Sequence, residues 1–175
     1  MGPETTPSTV AKLGRVVPPS TRLREDGREF RPTYKTSRCF QLIDACSAEA
    51  DPARRALLLA ELELELGNLE VRQGVAAARY AVEALEALVD YTVSNGGVKV
   101  GRRGQKPAPE YLTRLLEQVD LAESTLDQIS EALRSYLQLK PHQDRLEMWR
   151  LARTARNLLR AAAKRFQRLR NPSAS

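Results

Sequence analysis

From about residue 37 onward, apolar residues recur three and four positions apart. That spacing places them on one face of an α-helix and predicts nearly every element of the chain. A first helix is expected over 37–50, with Phe40, Ile43 and Ser47 along its inner face. Asp51 suits an N-cap and Pro52 the first helical position, so a new helix should start there. The pattern then runs over 52–93 in two halves: Leu58, Leu62, Leu66 and Leu69, then Val71, Val75, Ala78, Val82, Leu85 and Val89. Within it Glu61–Leu66 alternates and alone would suggest a strand. Its flanks are rich in Ala and Leu and lack turn residues, which favours helix.

Gly67 and Gly74 both fall on the apolar seam of this stretch. Two readings are open, a close helix–helix approach over a patch without side chains or a break near 67–74. A continuous helix over 52–93 would be about 60 Å long, against about 45 Å for the later helices. That mismatch leans toward a break. Pro109 and Glu110 then open a helix over 109–139, where Leu112, Leu115, Val119, Ala122, Leu126, Ile129, Leu133 and Tyr136 hold the clearest periodicity in the sequence. After a tight stop at Leu139-Lys140-Pro141, a last helix over 142–170 carries Met148, Ala152, Ala155, Leu159, Ala162, Phe166 and Leu169 on one face.

Two stretches escape the period. Residues 1–35 contain five prolines and three glycines and read as an extended or disordered arm. The segment 94–108, Gly-rich and basic, reads as an exposed loop. The predicted fold is therefore all-α: an antiparallel bundle of four to five long amphipathic helices over 36–171, with an extended N-terminal arm over 1–35.

Charge changes this picture more than composition does. The chain of 175 residues has a net charge of +6 and few aromatic residues. The charge is polarised: 39–98 holds ten acidic and four basic residues, whereas 141–175 holds nine basic and two acidic. The last helix can therefore dock against acidic helices of its own chain, meet an anion outside it, or do both. Cys39 and Cys46, seven apart in one predicted helix, would lie about 10 Å from each other. That is too far for a disulfide, so both read as small reduced core residues. With no apolar leader and no apolar run of membrane-spanning length, a cytoplasmic protein is expected.

Nothing points to catalysis, so a non-enzyme without cofactor or metal is expected. His142 is the only histidine, and no nucleophile or acid is implied beside it. No Cys/His group has zinc-ligand spacing. Gly101–Lys106 lacks the phosphate-loop pattern. Glu61, Glu63, Glu65 and Glu70 read as a solvated face rather than metal ligands.

The residues that invite a ligand are basic. Arg145, Arg153, Arg156, Arg160, Lys164 and Arg168 fall opposite the apolar stripe of the last helix, with Trp149 among them. Lys99, Arg102, Arg103 and Lys106 occupy the loop, and Arg31, Lys35 and Arg38 interleave with Phe30 and Tyr34 at the end of the arm. Cations among aromatics can hold phosphates while rings stack on bases. The same aromatics can equally serve as packing, Phe30 and Tyr34 in a groove and Trp149 under the arm or in a subunit contact. The leading expectation is a nucleic-acid-binding protein, RNA favoured over DNA, working through backbone charge as a subunit of a nucleoprotein assembly. The alternative is an adaptor or self-assembling structural subunit, with a protein partner or a homo-oligomer. Membrane contact is disfavoured by the shallow Ala152, Ala155 and Ala162 face.

Overall fold

A computed structural model describes residues 21–94 and 109–171. The protein is all-α. Among the described residues, five helices follow a short hairpin: α1 (Tyr34–Ala48), α2 (Pro52–Gly67), α3 (Val71–Ser94), α4 (Pro109–Leu139) and α5 (Gln143–Arg170). The contacts divide the chain into two compact units, Met1–Leu69 and Glu70–Ser175, where the sequence pattern had placed its boundary at residue 35.

In the first unit, part of the expected extended arm is a two-stranded hairpin, β1 (Arg22–Leu23) paired antiparallel with β2 (Glu29–Phe30). The reason is local turn chemistry. Gly27 takes φ 84°, which costs a residue without Cβ little. The Asp26 carboxylate accepts from Arg28 N–H at 3.0 Å, and Gly27 N–H donates to Arg24 O. The hairpin docks on α1: Phe30 meets Phe40 edge-on at 5.7 Å, and the Arg22 guanidinium lies 4.5 Å from the Phe40 ring centre. The same guanidinium forks onto the Asp44 carboxylate at 3.0 and 3.1 Å.

Helix α1 begins at Tyr34, three residues earlier than the pattern predicts, with Thr33 in extended backbone at the N-cap position. Its buried face is Cys39, Phe40, Leu42, Ile43 and Cys46, and Ser47 is exposed. Ser47 turns back to donate to Ile43 O. Both cysteines are free thiols in this core. Burial, reinforced by the charge of Glu65, pushes the Cys39 thiol up to about 11, and burial raises Cys46 as well. Asp51 caps α2 by accepting from Arg54 N–H at 3.2 Å, with Pro52 at the first helical position. Leu62, Leu66 and Leu69 of the predicted stripe are buried.

The two seam glycines do different things. Gly67 ends α2, where Asn68 N–H and Leu69 N–H cap the last turn by donating to Glu65 O and Leu66 O. Gly74 lies inside α3, and a Cβ there would stand 3.2 Å from Leu126 Cδ2 of α4. One glycine thus stops a helix and the other permits a close approach.

In the second unit α3, α4 and α5 all pack on one another. Val71, Val75, Ala78, Ala81, Leu85 and Val89 of α3 are buried, as are Leu115, Val119, Ala122, Leu126, Ile129, Leu133 and Tyr136 of α4. Helix α5 contributes Ala152, Ala155, Leu159 and Phe166. Leu112 and Met148, expected in the core, are half-buried, and Leu169 is exposed. His142 is the N-cap of α5: its Nδ1 accepts from Arg145 N–H at 3.3 Å, and its ring meets Tyr136 edge-on.

Candidate nucleic-acid interface

The helical wheel of α5 set one apolar face against one charged face, but the charged face has two destinations. Every residue from Leu126 to Leu133 of α4 is buried, including Asp127 and Glu131. A buried carboxylate requires a cation or several donors. Asp127 takes two. Arg156, itself buried, donates to it at 3.2 Å, and Arg160 donates to both its oxygens at 3.0 Å. Arg160 also reaches Glu123 at 2.5 Å, and the Arg156 guanidinium is shared with Asn157 Oδ1. Glu131 is held from its own helix by Arg134 at 2.6 and 2.9 Å.

Arg156, buried, and Arg160, half-buried, therefore pair with carboxylates of α4, a correction to their placement on an open outer face. The wheel assigned them by angle alone, and angle does not say which flank meets an acidic neighbour.

Trp149 also has company within the chain. The Arg153 guanidinium sits 5.0 Å from its ring centre, and its indole N–H is buried with no acceptor among the described residues. Half-buried with one ring face beside Arg153, it offers less than a free platform for a base. Near it, Arg145 donates to Met148 Sδ, and Arg150 lies 3.6 Å from Glu147. In the first unit Arg38 pairs with Glu61, Arg31 and Lys35 are exposed, and Phe30 is packed on Phe40. The side chain of Tyr34 and the whole loop set, Lys99, Arg102, Arg103 and Lys106, lie outside the described residues.

A cluster of exposed cations occupies the last two turns of α5. Lys164, Arg165, Arg168 and Arg170 are all exposed, and no acidic residue occurs after Glu147. Arg170 lies 5.9 Å from the Phe166 ring centre, close enough to steady one end of the group. Cations in the last turn also complement the negative end of the helix dipole. Arg165 and Arg170 were missed because they lie off the wheel's charged face. The legible signal was four cations within seven residues.

Among the described residues no group of three or more His, Cys, Asp or Glu could hold a metal ion, and no helix is long and apolar enough to cross a membrane. Comparisons with protein-family models, curated proteins and solved structures returned no match.

Proposed function

We propose that the protein binds nucleic acid without sequence readout, RNA in preference to DNA, through phosphate contacts at the C-terminal end of α5. In this reading it works as a subunit of a larger nucleoprotein assembly. The observation that supports it is the exposed Lys164, Arg165, Arg168 and Arg170 group, in a stretch with no acidic residue after Glu147. Guanidinium groups fork phosphates and stack on splayed bases, and exposed bases are commoner in RNA. The finer fold proposed for Glu70–Ser175 is an antiparallel bundle of α3, α4 and α5. Its support is the pairing of Arg156 with Asp127 and of Arg160 with Glu123, an offset that runs opposite ways along α5 and α4. The same offset carries Arg114 of α4 toward the Arg168–Arg170 end.

The test is a fluorescence-anisotropy titration with generic single-stranded RNA and with duplex DNA of equal length at several salt concentrations. Micromolar or tighter binding to RNA is expected at low salt, and affinity should fall steeply as salt rises, because each neutralised phosphate releases counterions. Reversing Lys164, Arg165, Arg168 and Arg170 to Glu should abolish it while the circular dichroism spectrum stays helical. Unchanged binding by that variant overturns the assignment.

A second reading, a protein-interaction module, is favoured by one separate observation. Between α3 and α4 runs an open groove of about 710 Å³ floored by Gly74, Ala77, Ala81 and Ala84 and rimmed by Tyr80 and Leu121, which are 75% and 68% exposed. Absence of any binding to RNA or DNA at low salt would leave this reading in place of the first.

A further inference from the structure

Helix α2 has two apolar stripes, and only one is used within its own unit. Leu62 and Leu66 face the core and are fully buried. On the other side Ala53, Leu57, Ala60, Leu64 and Gly67 are all exposed, Leu57 at 73% and Leu64 at 71%. Their spacing is four, three, four, three, the spacing of a helix–helix seam. Scattered exposed leucines need no explanation, but two of the most exposed large apolar side chains here stand on one such seam. Along the seam large and small residues alternate, so each leucine has a small residue as neighbour. We propose that α2 is a self-association surface, where a second copy of this chain packs its own α2 antiparallel across this stripe.

Shape and charge select that occupant together. In antiparallel helix pairs the two kinds of seam position face each other, so Leu57 of one copy lies over Ala60 of the other and Leu64 over Ala53. Each leucine then fills the space above a methyl group, and the helices approach closely. Arg54 and Glu61, seven apart, share one edge of the seam and are solvent-accessible. A two-fold axis near residues 58–59 brings like edges together, setting Arg54 of one copy beside Glu61 of the other, twice. Glu61 keeps its Arg38 partner on its own α1, so the pair becomes a three-membered ion network. A parallel pair instead sets Glu61 beside Ala56, and Arg54 then meets no acidic residue of the partner's α2. The contact is self-complementary, as a two-fold interface must be.

A seam of 16 residues is only about 24 Å long, below the area of a stable obligate dimer, so a reversible dimer is the expected species. The surface lies on a different unit from the cationic end of α5, and the inference holds whether or not that end binds RNA.

Sedimentation equilibrium of the full chain without nucleic acid, from about 1 to several hundred micromolar, tests it. A monomer–dimer equilibrium with a dissociation constant of roughly 1–100 µM is expected. The Leu57→Glu, Leu64→Glu variant should be monomeric throughout; both positions are exposed, so its helical circular dichroism should match the parent. Arg54→Glu should weaken the dimer by about tenfold, and adding Glu61→Lys should recover it. A monomeric parent at several hundred micromolar overturns the proposal. So does a dimer that the double leucine variant leaves intact, which would locate association on another surface such as the α3–α4 groove. Failure of Glu61→Lys to recover the Arg54→Glu variant overturns the antiparallel arrangement.

Discussion

Arg156 of α5 and Asp127 of α4 meet at 3.2 Å with 7% and 1% of their side chains exposed, and the same carboxylate is gripped a second time by Arg160. The two ends of this contact are unequal. Asp127 has two cations, whereas Arg156 has one carboxylate and a neighbouring amide. Removing a single partner of a buried pair costs about 3–5 kcal/mol, because the other charge stays buried. Asp127→Leu should therefore lower stability by about 3 kcal/mol or more. Arg156→Met should cost clearly less, since Arg160 still neutralises Asp127. Urea unfolding followed by circular dichroism measures both, and equal losses would contradict the asymmetry.

The close approach at Gly74 predicts different outcomes for two substitutions. Alanine gains up to about 1 kcal/mol of helix propensity over glycine. Its methyl must push the Leu126 Cδ2 from 3.2 Å, and Leu126 is fully buried with little room to yield. The terms nearly cancel, so Gly74→Ala should leave the melting temperature close to the parent. Gly74→Leu adds further volume against Leu126 and Ile129 and should destabilise by about 1–3 kcal/mol. A stabilising Gly74→Leu would show that the groove closes less tightly than the distances say.

Cys39 couples stability to alkaline pH. Its thiol is raised from 9.0 to about 11 in the folded chain. Between those values the unfolded thiol loses its proton while the folded one keeps it, so the folded state binds more protons and stability falls as pH rises. Below pH 9 this group should have no effect. The decline between pH 9 and 11 should shrink in a Cys39→Ala variant, measured as the change in urea midpoint. In the native protein near neutral pH, both buried thiols should react with a thiol reagent far more slowly than after unfolding.

Trp149, the single tryptophan, reports on its own neighbourhood. With Arg153 at its ring, adding RNA should change its emission little, whereas Arg153→Ala should alter it without RNA. The same change should cost about 0.5–1 kcal/mol of stability, the range for a partly exposed cation–aromatic contact. Strong quenching of Trp149 by RNA would return the indole to the binding surface.

The sequence pattern made the helices legible and left their surroundings open. Periodicity located α3 and α4 and all of their buried apolar residues except Ala81 and Ala132, because apolar burial there follows the helical spacing. It could not foresee Asp127 in the core, since a carboxylate beside Leu126 looks like solvated flank until Arg156 from 29 residues away covers it. The hairpin was hidden by the prolines around it, although Asp26-Gly27 was a turn signal in plain view. For α2 the leucines of two faces merged into one hydrophobic run, and only the accessible surface separates the buried Leu62 and Leu66 from the exposed Leu57 and Leu64. Of the site, the cationic end of α5 was readable as charge density. Which arginines were already neutralised was not, because that depends on the neighbouring helix.

The contact of Arg22 with Phe40 and Asp44 ties the hairpin to α1. Phe40 and Asp44 are one turn apart on α1, so one guanidinium covers a ring and answers a carboxylate at once. A chain shortened to start at residue 36, at the boundary the hydrophobic pattern alone suggests, would lose that cover together with Phe30. It would bare the 3%-exposed Phe40 ring to water and create a new sticky surface. A form of this unit that keeps the Phe40 ring covered therefore starts no later than Arg22, within a stretch that composition alone would have trimmed away as a tail.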